Sequence, residues 1–385
     1  MRTIAVVTVA RSDYGIYLPL LRAIEADPEL RLQLLVSGMH LSPEFGLQVK
    51  MIEADGFEIA ERVEMLLSSD TPEGIAKSIG LGVIGFAQVF ARTRPDILVV
   101  LGDRFEMYAA ALAALPFKIP VAHIHGGEVT NGAIDDALRH SMTKLSHLHF
   151  VSTEAYARRV SQLGEEPWRI TVSGAPSLDN FRSIQFMTPA ELTAQYGIRL
   201  DPSPLLVTYH PVTLEYKQTE WQINELLAAL EACGLPVVFT MPNADTGNNI
   251  IRQKIAEYKR ARSDVWSLDN LGTQGYFSLM KVAAAMVGNS SSGIIEAPSF
   301  KLSVVNIGTR QAGRIRAQNV IDVGYTSAEI VAGIRRAMSS EFQKLLDAVV
   351  NPYGDGNAAE RIVARLREVE LNDHFIYKVF SDLGL

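Results

Sequence analysis

The sequence predicts an α/β protein with two doubly wound parallel sheets. Short runs of continuous apolar residues alternate with amphipathic helical patterns, as in "TIAVVTVA" at 3–10 followed by "GIYLPLLRAIEA". Parallel strands that are buried on both faces show such runs, and their alternation with helices favours a doubly wound sheet. The pattern stops near residue 180 and starts again at residue 204, and 385 residues are more than one typical core accommodates.

The apolar runs predict the individual strands. In the first half they lie at 3–10, 30–38, 94–103, 119–127 and 147–153, and in the second half at 204–210, 235–243, 283–291 and 301–308. Ligands of open α/β sheets bind just outside the carboxyl ends of the strands, and two such domains in tandem predict a cleft between facing strand ends. The polar residues at those ends are therefore the candidates for chemistry.

Composition limits the class of protein. The hydrophobic fraction is 48% and the charged fraction 21%, as in an ordinary globular enzyme. A net charge of -7 argues against a nucleic-acid partner, which would require clustered positive charge. The single cysteine, Cys233, excludes an internal disulfide and a cysteine-based zinc site. The apolar run near the N-terminus is too short for a signal peptide, and no run approaches about 20 residues. We therefore expect a cytoplasmic protein that does not enter a membrane.

The end of the first strand, "ARSDYG", is a candidate anion site. Unpaired N–H groups and the helix dipole face a ligand at a strand–turn–helix junction, and Arg11 could add a bidentate phosphate contact. We take Arg11 and Asp13 as candidates for binding the substrate. The alternative is a helix cap at Ser12 or Asp13 with a solvated Arg11. The segment lacks GxGxxG, so a nicotinamide cofactor has no local support.

Two further strand ends carry acids and bases. "ILVVLGDRFE" ends in Asp103 and Arg104, and the next strand leads into "HIHGGEVTNGAIDD" at 123–136. We take Asp103, His125, Glu128 and Asp135 as the candidate catalytic residues, with the helix dipole keeping Asp135 ionised. The alternative for either aspartate is a helix N-cap.

The two histidines of this loop also raise the possibility of a metal site. His123 and His125 are two residues apart, so they share a face if the strand continues that far. A third ligand at a recognised spacing is missing from the neighbouring sequence, so a metal pair is disfavoured. Gly126 and Gly127 are expected to let the backbone come close to a ligand.

The strand ends of the second half indicate a nucleotide site. "GNSSSGIIEAP" combines hydroxyls and free N–H groups at a helix start, which suits a diphosphate. A serine-rich helix cap is the alternative. The candidate binding residues of this half are His210, Asn243, Tyr276, Ser290, Ser291, Glu296 and Arg310, with Tyr276 proposed to stack on the base.

"RSDYG", "GDRFE", "HIHGGEVTNGAIDD", "HPVT", "PNADTG", "GNSSSGIIEAP" and "GTRQAGR" together resemble the hydrolysing UDP-N-acetylglucosamine 2-epimerases, in the branch that feeds sialic and legionaminic acid synthesis. The resemblance covers nearly the whole chain. It implies a GT-B fold, a homodimer, an N-terminal domain at 1–180 onto which 366–385 crosses back, and a nucleotide-binding domain at 181–365.

The resemblance also implies the chemistry. A base takes the proton from C2 of the sugar while the nucleoside diphosphate leaves C1, and the resulting glycal is hydrated to free N-acetylmannosamine without a metal or other cofactor. Asp103 and Asp135 fall on the family's catalytic acids. The nucleotide-contacting positions of the family fall on Arg11, Arg104, His210, Asn243, Ser290, Ser291, Glu296 and Arg310.

One position departs from the family pattern. Many relatives have glutamate in the middle of this loop ("HIEGG"), where this chain has His125. Imidazole can act as a general acid or base near neutral pH, and "HIHGG" is associated with relatives that act on 2,4-diacetamido-trideoxy sugars. The alternatives that remain open are UDP- or GDP-linked N,N'-diacetylbacillosamine as substrate, a GT-B glycosyltransferase, and a nucleotide-sugar sensor without turnover.

Overall fold

The chain forms two compact units. The computed structural model describes residues 1–67, 71–130, 134–241, 248–268 and 271–382. The first unit comprises Met1–Glu128, Ile134–Arg182 and the C-terminal segment from Tyr353, and the second comprises Ser183–Pro352. Each unit has its own parallel sheet with helices between the strands, which confirms the predicted fold class.

The first unit contains a sheet of seven strands within the described residues. Its strands are β1 (Arg2–Thr8), β2 (Leu30–Ser37), β3 (Ile59–Val63), β4 (Ile97–Leu101), β5 (Val121–Ile124), β6 (Leu148–Val151) and β7 (Ile170–Val172). The helices that precede the second unit in the chain are α1 (Arg11–Ala26), α2 (Val49–Ala54), α3 (Pro72–Thr93), α4 (Phe105–Ala114), α5 (Ile134–Leu145), α6 (Glu154–Gln162) and α7 (Asn180–Ser183).

The second unit repeats this plan with six strands in its described part. Its strands are β8 (Leu205–Thr208), β9 (Val237–Thr240), β10 (Val265–Leu268), β11 (Ala285–Gly288), β12 (Val304–Ile307) and β13 (Val320–Val323). Its helices are α8 (Pro189–Tyr196), α9 (Thr219–Cys233), α10 (Asn248–Arg260), α11 (Gly272–Val282), α12 (Ser292–Ile295), α13 (Ser327–Ala337) and α14 (Ser340–Leu346). Cys233, the last residue of α9, packs half-buried against this unit's core.

The strand order fixes where a ligand can bind in each unit. The first sheet runs β3-β2-β1-β4-β5-β6-β7 and the second β10-β9-β8-β11-β12-β13, with every pairing parallel. The chain reverses direction across the sheet between β1 and β4 and again between β8 and β11. Such switch points leave a crevice at the carboxyl ends of the two strands, where open α/β sheets bind their ligands.

The chain returns to the first unit earlier than the sequence predicts. We predict the return from residue 366, whereas the structure begins it at Tyr353. The Tyr353 carbonyl accepts from the Ala175 N–H at 2.8 Å, and its hydroxyl lies 3.0 Å from that of Tyr156. α15 (Ala358–Glu368) and α16 (Asp373–Ile376) follow, and the Asp179 carboxylate caps the start of α15 by accepting from the Ala358 and Ala359 N–H groups at 2.9 and 2.6 Å.

Helix α3 is the one described helix whose length and composition would suit a membrane span. Glycines and single polar residues interrupt its apolar run, so the sequence pattern does not indicate a membrane span. The helix packs into the first unit, since a Cβ at Gly82 would lie 2.9 Å from Ala109 of α4 and 2.6 Å from Met65. We therefore read α3 as a helix of the domain's outer layer.

Candidate active site

Arg139 organises the carboxyl ends of β4 and β5. This arginine is 2% exposed on α5, and its guanidinium donates to the Asp103 carboxylate and, at 2.8 Å, to the His125 carbonyl. The same group lies 3.9 Å from the Glu128 carboxylate. One buried cation thus holds two of the predicted acids and the backbone of the predicted base, with the forked geometry that suits arginine.

Two buried side chains, Glu128 and Ser152, contact the imidazole of His125. Its Nδ1 is 2.6 Å from Glu128 Oε1 and 3.2 Å from Ser152 Oγ, and Ser152 donates to the same carboxylate oxygen at 2.9 Å. All three residues are buried. The His125 backbone adopts φ 64°, a left-handed conformation that is uncommon outside glycine. Strained backbone of this kind is concentrated at functional sites.

His123, by contrast, serves the fold. Its Nε2 lies 2.8 Å from the Gly102 carbonyl and its Nδ1 3.2 Å from Thr143 Oγ1. Burial lowers the pKa of His123 to about 3, so the ring is neutral and ties β5 to β4. Both nitrogens are occupied, which argues against the metal pair, and the described ranges contain no group of three His, Cys, Asp or Glu side chains that could hold a metal ion.

Packing requires glycine at position 127, and the predicted approach of a ligand to this backbone stays a prediction. The φ of Gly127 is 75°, and a Cβ there would lie 2.5 Å from the Tyr156 carbonyl oxygen of α6. Arg159 of the same helix donates to the Gly127 carbonyl. The glycine therefore lets the loop lie directly on α6, where it supports His125 and Glu128.

The end of β1 forms a second cluster beside this one. Asp13 accepts from Thr8 Oγ1 at 2.7 Å, from the Val9 N–H at 2.9 Å and from the Ala10 N–H at 2.6 Å. Burial raises the pKa of Asp13 to about 6 against these hydrogen bonds. Its carboxylate is thus occupied by its own loop, which supports the capping alternative, and a role in substrate binding stays a prediction.

Arg11 and Arg104 give this cluster its positive charge. Arg11 begins α1, where its N–H donates to Gln48 Oε1 at 3.1 Å. Arg104 caps α4 and contacts the buried Glu106 carboxylate at 2.9 Å. Both arginines lower the pKa of His40, although burial is the main cause and brings it to about 4. The neutral His40 ring and two arginines thus lie near the β1–β4 switch point.

Asp135 lies in the first turn of α5, one turn before Arg139, and is partly buried. Its neighbour Asp136 pairs with His140 at 3.6 Å along the same helix. The structure therefore brings Asp103, His125 and Glu128 together around Arg139, and it places Asp135 on the helix that carries this arginine.

In the second unit, Asn289 joins the two strands of the switch point. Its side chain accepts from the His210 N–H at 2.7 Å and donates to the His210 carbonyl at 2.8 Å. The Asn289 carbonyl in turn accepts from Arg310 at 3.1 Å and Gln311 at 2.9 Å. A Cβ at Gly288, where φ is 136°, would lie 1.9 Å from the Thr208 carbonyl oxygen, so only glycine lets β8 and β11 end this close together.

His210 is held neutral at this edge. Burial and, secondarily, the charge of Arg310 keep the pKa of His210 well below its ordinary value. Its Nδ1 has no hydrogen-bond partner among the described residues. A buried polar atom without a partner costs free energy unless a ligand or water satisfies it, so this nitrogen is suited to contact a bound group.

The serine loop and Tyr276 lie together beside β11. Ser291 precedes α12, and Glu296, which follows it, is buried. Burial raises the pKa of the Tyr276 hydroxyl to about 12, against hydrogen bonds with Ser292, Thr208 and Ser290. The hydroxyl of Tyr276 thus lies at the serine loop and forms hydrogen bonds with it. A stack of its ring on the base stays a prediction.

Several residues that build these clusters escaped the sequence reading. Arg139, Ser152, His40, Gln48 and Asn289 are set by tertiary contacts, although the spacing of Arg139, one helical turn after Asp135, could have indicated a shared face. The candidate Asn243 and the neighbouring Asp245 lie outside the residues that the structure describes.

The two sets of residues suit different chemistry. The first unit offers a buried imidazole and carboxylates around one arginine, which can exchange protons with a substrate. The second offers a neutral imidazole, serine hydroxyls and Arg310, which can hold an anionic leaving group.

Comparisons with known proteins identify the family of the chain. The family model described as UDP-N-acetylglucosamine 2-epimerase matches residues 22–367. The GDP/UDP-N,N'-diacetylbacillosamine 2-epimerase (hydrolyzing) of Campylobacter jejuni is 40% identical, with 99% of each chain covered. The UDP-N,N'-diacetylbacillosamine 2-epimerase (hydrolyzing) of Legionella pneumophila is 38% identical over 98% of this chain and 99% of its own.

Solved structures support the same fold. The UDP-GlcNAc 2-epimerase of Neisseria meningitidis, crystallised with UDP-GlcNAc, matches with a TM-score of 0.82 at 18% identity, over 95% of this chain and 99% of that one. This likeness confirms the predicted GT-B fold. From the family match and the two full-length relatives, the chain belongs to the UDP-N-acetylglucosamine 2-epimerase family.

Proposed function

We propose that the chain is a hydrolysing 2-epimerase that converts a nucleotide-linked 2-acetamido sugar into the free sugar of mannose configuration and a nucleoside diphosphate. The observation that carries the proposal is the group of Asp103, His125 and Glu128 around the buried Arg139. The left-handed backbone at His125 is typical of functional sites, and an imidazole beside two carboxylates is a group that can transfer protons.

The reaction that we propose has two balanced stages. A base removes the C2 proton while the C1–O bond breaks, and the electron pair of that bond leaves with the diphosphate to give a C1=C2 glycal. Water then adds, with hydroxyl at C1 and a proton at C2 from the opposite face. Inversion at C2 needs one proton-exchanging group on each face of the ring, and we assign these roles to His125 and Asp103, with Asp135 as a further acid.

The nucleoside diphosphate is assigned to the second unit, and for Arg11 and Arg104 of the first unit a contact with the substrate stays a prediction. A positioned base contributes about 10²–10⁴-fold to such a reaction, so the larger share must come from stabilising the leaving diphosphate with fixed donors. His210 supports this role because its ring is neutral and its Nδ1 lacks a partner among the described residues. Glu296 is assigned to the ribose hydroxyls.

For the sugar, we propose UDP-linked N,N'-diacetylbacillosamine as the favoured substrate. The Legionella relative has UDP-N,N'-diacetylbacillosamine in its name and the Campylobacter relative has GDP/UDP-N,N'-diacetylbacillosamine. His125 stands where many relatives have glutamate. UDP-N-acetylglucosamine, which gives N-acetylmannosamine, is the second candidate, supported by the description of the family model.

The test is a panel of UDP- and GDP-linked N-acetylglucosamine and N,N'-diacetylbacillosamine without any acceptor. We expect release of nucleoside diphosphate together with free 2-epimerised sugar, fastest with the UDP-linked diacetamido sugar. Asp103→Asn is the control and should bind UDP but release little sugar. Turnover only after an acceptor is added would indicate a glycosyltransferase, and binding without turnover would indicate a sensor.

We also propose that the enzyme works in the cytoplasm as a homodimer. The exposed face of α3 supports the dimer, because Leu81 and Ile84 are 42% and 59% exposed one turn apart on that helix. Apolar side chains grouped in this way are typical of protein–protein contacts. Sedimentation equilibrium tests the proposal, and a monomer at all concentrations would contradict it.

A further inference from the structure

The hydrogen bonds at Nδ1 determine which nitrogen of His125 can react. Nδ1 lies 2.6 Å from Glu128 Oε1, a carboxylate oxygen that can only accept. The imidazole must therefore donate, so Nδ1 carries a proton, and in the neutral ring this leaves the lone pair on Nε2. A hydrogen bond to one ring nitrogen thus determines the state of the other.

Ser152 takes part in this arrangement without a role assigned to it so far. Its hydroxyl donates to Glu128 Oε1 at 2.9 Å and lies 3.2 Å from His125 Nδ1. Ser152 thus bridges the imidazole and its carboxylate and is itself buried. A carboxylate oxygen that accepts from two fixed donors cannot rotate away from either of them.

The register of the sheet brings Ser152 to this place. β5 and β6 pair in parallel with Ile124 opposite Phe150, and the His125 N–H donates to the Phe150 carbonyl at 3.0 Å. Ser152 lies two residues after Phe150, directly after β6, and there its hydroxyl contacts Glu128, which follows the turn at Gly127. Ser152 therefore contacts Glu128 from a strand end, which is more rigid than a loop.

We propose that Ser152 is a positioning residue for the reaction, and that with Glu128 it fixes the His125 tautomer so that Nε2 exchanges the proton with the sugar. This inference rests on the proposed function. Glu128 then provides the negative charge that relatives carry on a single glutamate, now placed behind an imidazole. When Nε2 accepts the substrate proton, the Nδ1–H bond to Glu128 stabilises the resulting imidazolium.

The direct test is nitrogen NMR of the ¹⁵N-histidine-labelled protein. In the wild type at neutral pH we expect the His125 ring to show a protonated Nδ1 and an unprotonated Nε2, with His125→Gln used to assign the signals. A protonated Nε2 with an unprotonated Nδ1 would overturn the proposal. This measurement needs neither substrate nor turnover, so it is independent of the proposed function, which fails only if no nucleotide sugar is hydrolysed.

Kinetics of Ser152→Ala give the second test. We expect kcat to fall by about 10-fold with KM nearly unchanged, as when an orienting partner of a functional imidazole is removed. Glu128→Gln should lose more, about 10²–10⁴-fold in kcat, because an amide can present N–H to Nδ1 and favour the wrong tautomer. Ser173→Ala, another buried serine of the first unit whose hydroxyl bonds to the Gly174 carbonyl, is the matched control. A folded Ser152→Ala enzyme with wild-type kcat and an unchanged tautomer would overturn the role of Ser152.

Discussion

At the scale of single residues, Arg139 joins the parts of the first cluster. Its guanidinium contacts the Asp103 carboxylate, the His125 carbonyl and, at longer range, Glu128. Lysine offers a point charge without the planar fork, so it cannot hold two acceptors in fixed directions.

We predict that Arg139→Lys lowers kcat by about 10²-fold, because a misplacement of about 1 Å in a reacting group has that effect. Steady-state kinetics with the nucleotide sugar measures this change. Arg158→Lys, an exposed position on α6, is the matched control and should leave kcat unaltered. Near-normal turnover in Arg139→Lys would show that the reaction does not depend on the forked guanidinium of Arg139.

The pH dependence of the rate tests His125. Its charged neighbours are Glu128 at 2.6 Å and Arg139, which holds its carbonyl, while His123 lies close by and is neutral. If the imidazole exchanges the substrate proton, one limb of the kcat–pH profile depends on this residue. We predict that this limb disappears in His125→Gln and that His125→Glu retains some activity with an altered sugar preference. A His125→Gln enzyme with the wild-type rate and profile would reduce the residue to a packing role.

Asp103 and His125 could be predicted as candidates from the sequence because each follows a buried strand at the carboxyl edge of the sheet. The sequence could not indicate Ser152, whose contact depends on the pairing of β5 with β6, or Asn289, whose amide matters only because β8 and β11 end side by side. At Gly127 the sequence indicated a close approach of the backbone to another group. The structure shows one such group, the backbone of α6.

At the scale of elements, the C-terminal segment forms hydrogen bonds with the C-terminal end of α5. Lys378 donates to the Lys144 carbonyl at 2.8 Å and the Ser146 carbonyl at 2.6 Å, and it contacts Glu165 at 2.8 Å. Arg169 donates to the Phe375 carbonyl at 2.9 Å and so holds the same segment. The helix that carries Asp135 and Arg139 is thereby capped by a cation, which its dipole favours.

We predict that Lys378→Met lowers the free energy of unfolding by about 1–2 kcal/mol, from the loss of a partly buried cation at a helix C-terminus. Urea unfolding measures the difference. Tyr377→Ala provides the control, since that side chain is 72% exposed on the same segment. Equal stability of Lys378→Met and the wild type would contradict the capping role.

Glu165 links stability to pH in the same region. Burial alone would raise its pKa, but the hydrogen bond and charge of His149 and the contacts of Lys378 and Lys144 lower the pKa of Glu165 to about 2 from 4.5. A depressed carboxylate stabilises the fold above its unfolded pKa and loses that contribution as pH falls toward its folded pKa. We predict that the wild type loses stability relative to Glu165→Gln between pH 4.5 and 2, as measured by urea unfolding at several pH values. Parallel curves for the two proteins would contradict the assignment.

The predicted strands match the interior of both sheets and omit their edges. β1, β2, β4, β5 and β6 of the first sheet and β8, β9, β11 and β12 of the second were predicted, and β3, β7, β10 and β13 were not. Interior strands are apolar along their length, whereas edge strands such as "IAERV" and "VIDV" are partly exposed and carry charges. An edge strand forms because it pairs with a neighbouring strand, and the sequence does not show which strand that is.

At the scale of the whole molecule, the two units share one strand order and differ in the residues at their strand ends. Both units use the order that places a crevice between a first and a fourth strand. In the first unit two arginines and the buried Asp13 lie near this crevice, and the acids and imidazole around Arg139 lie at the neighbouring ends of β4 and β5. In the second unit neutral donors and one arginine lie at the crevice. The proposed chemistry follows from this difference, because elimination needs a base for C2–H and a holder for the leaving diphosphate.

The most direct measurement of this chemistry is the fate of the C2 hydrogen. The enzyme is incubated in heavy water with its best nucleotide sugar, and the free sugar is analysed by proton NMR, with an incubation in ordinary water as the control. Removal of the C2 proton and its return from the opposite face predict product that carries deuterium at C2. Free sugar that keeps its original proton at C2 would contradict elimination and, with it, the assignment of Asp103 and His125.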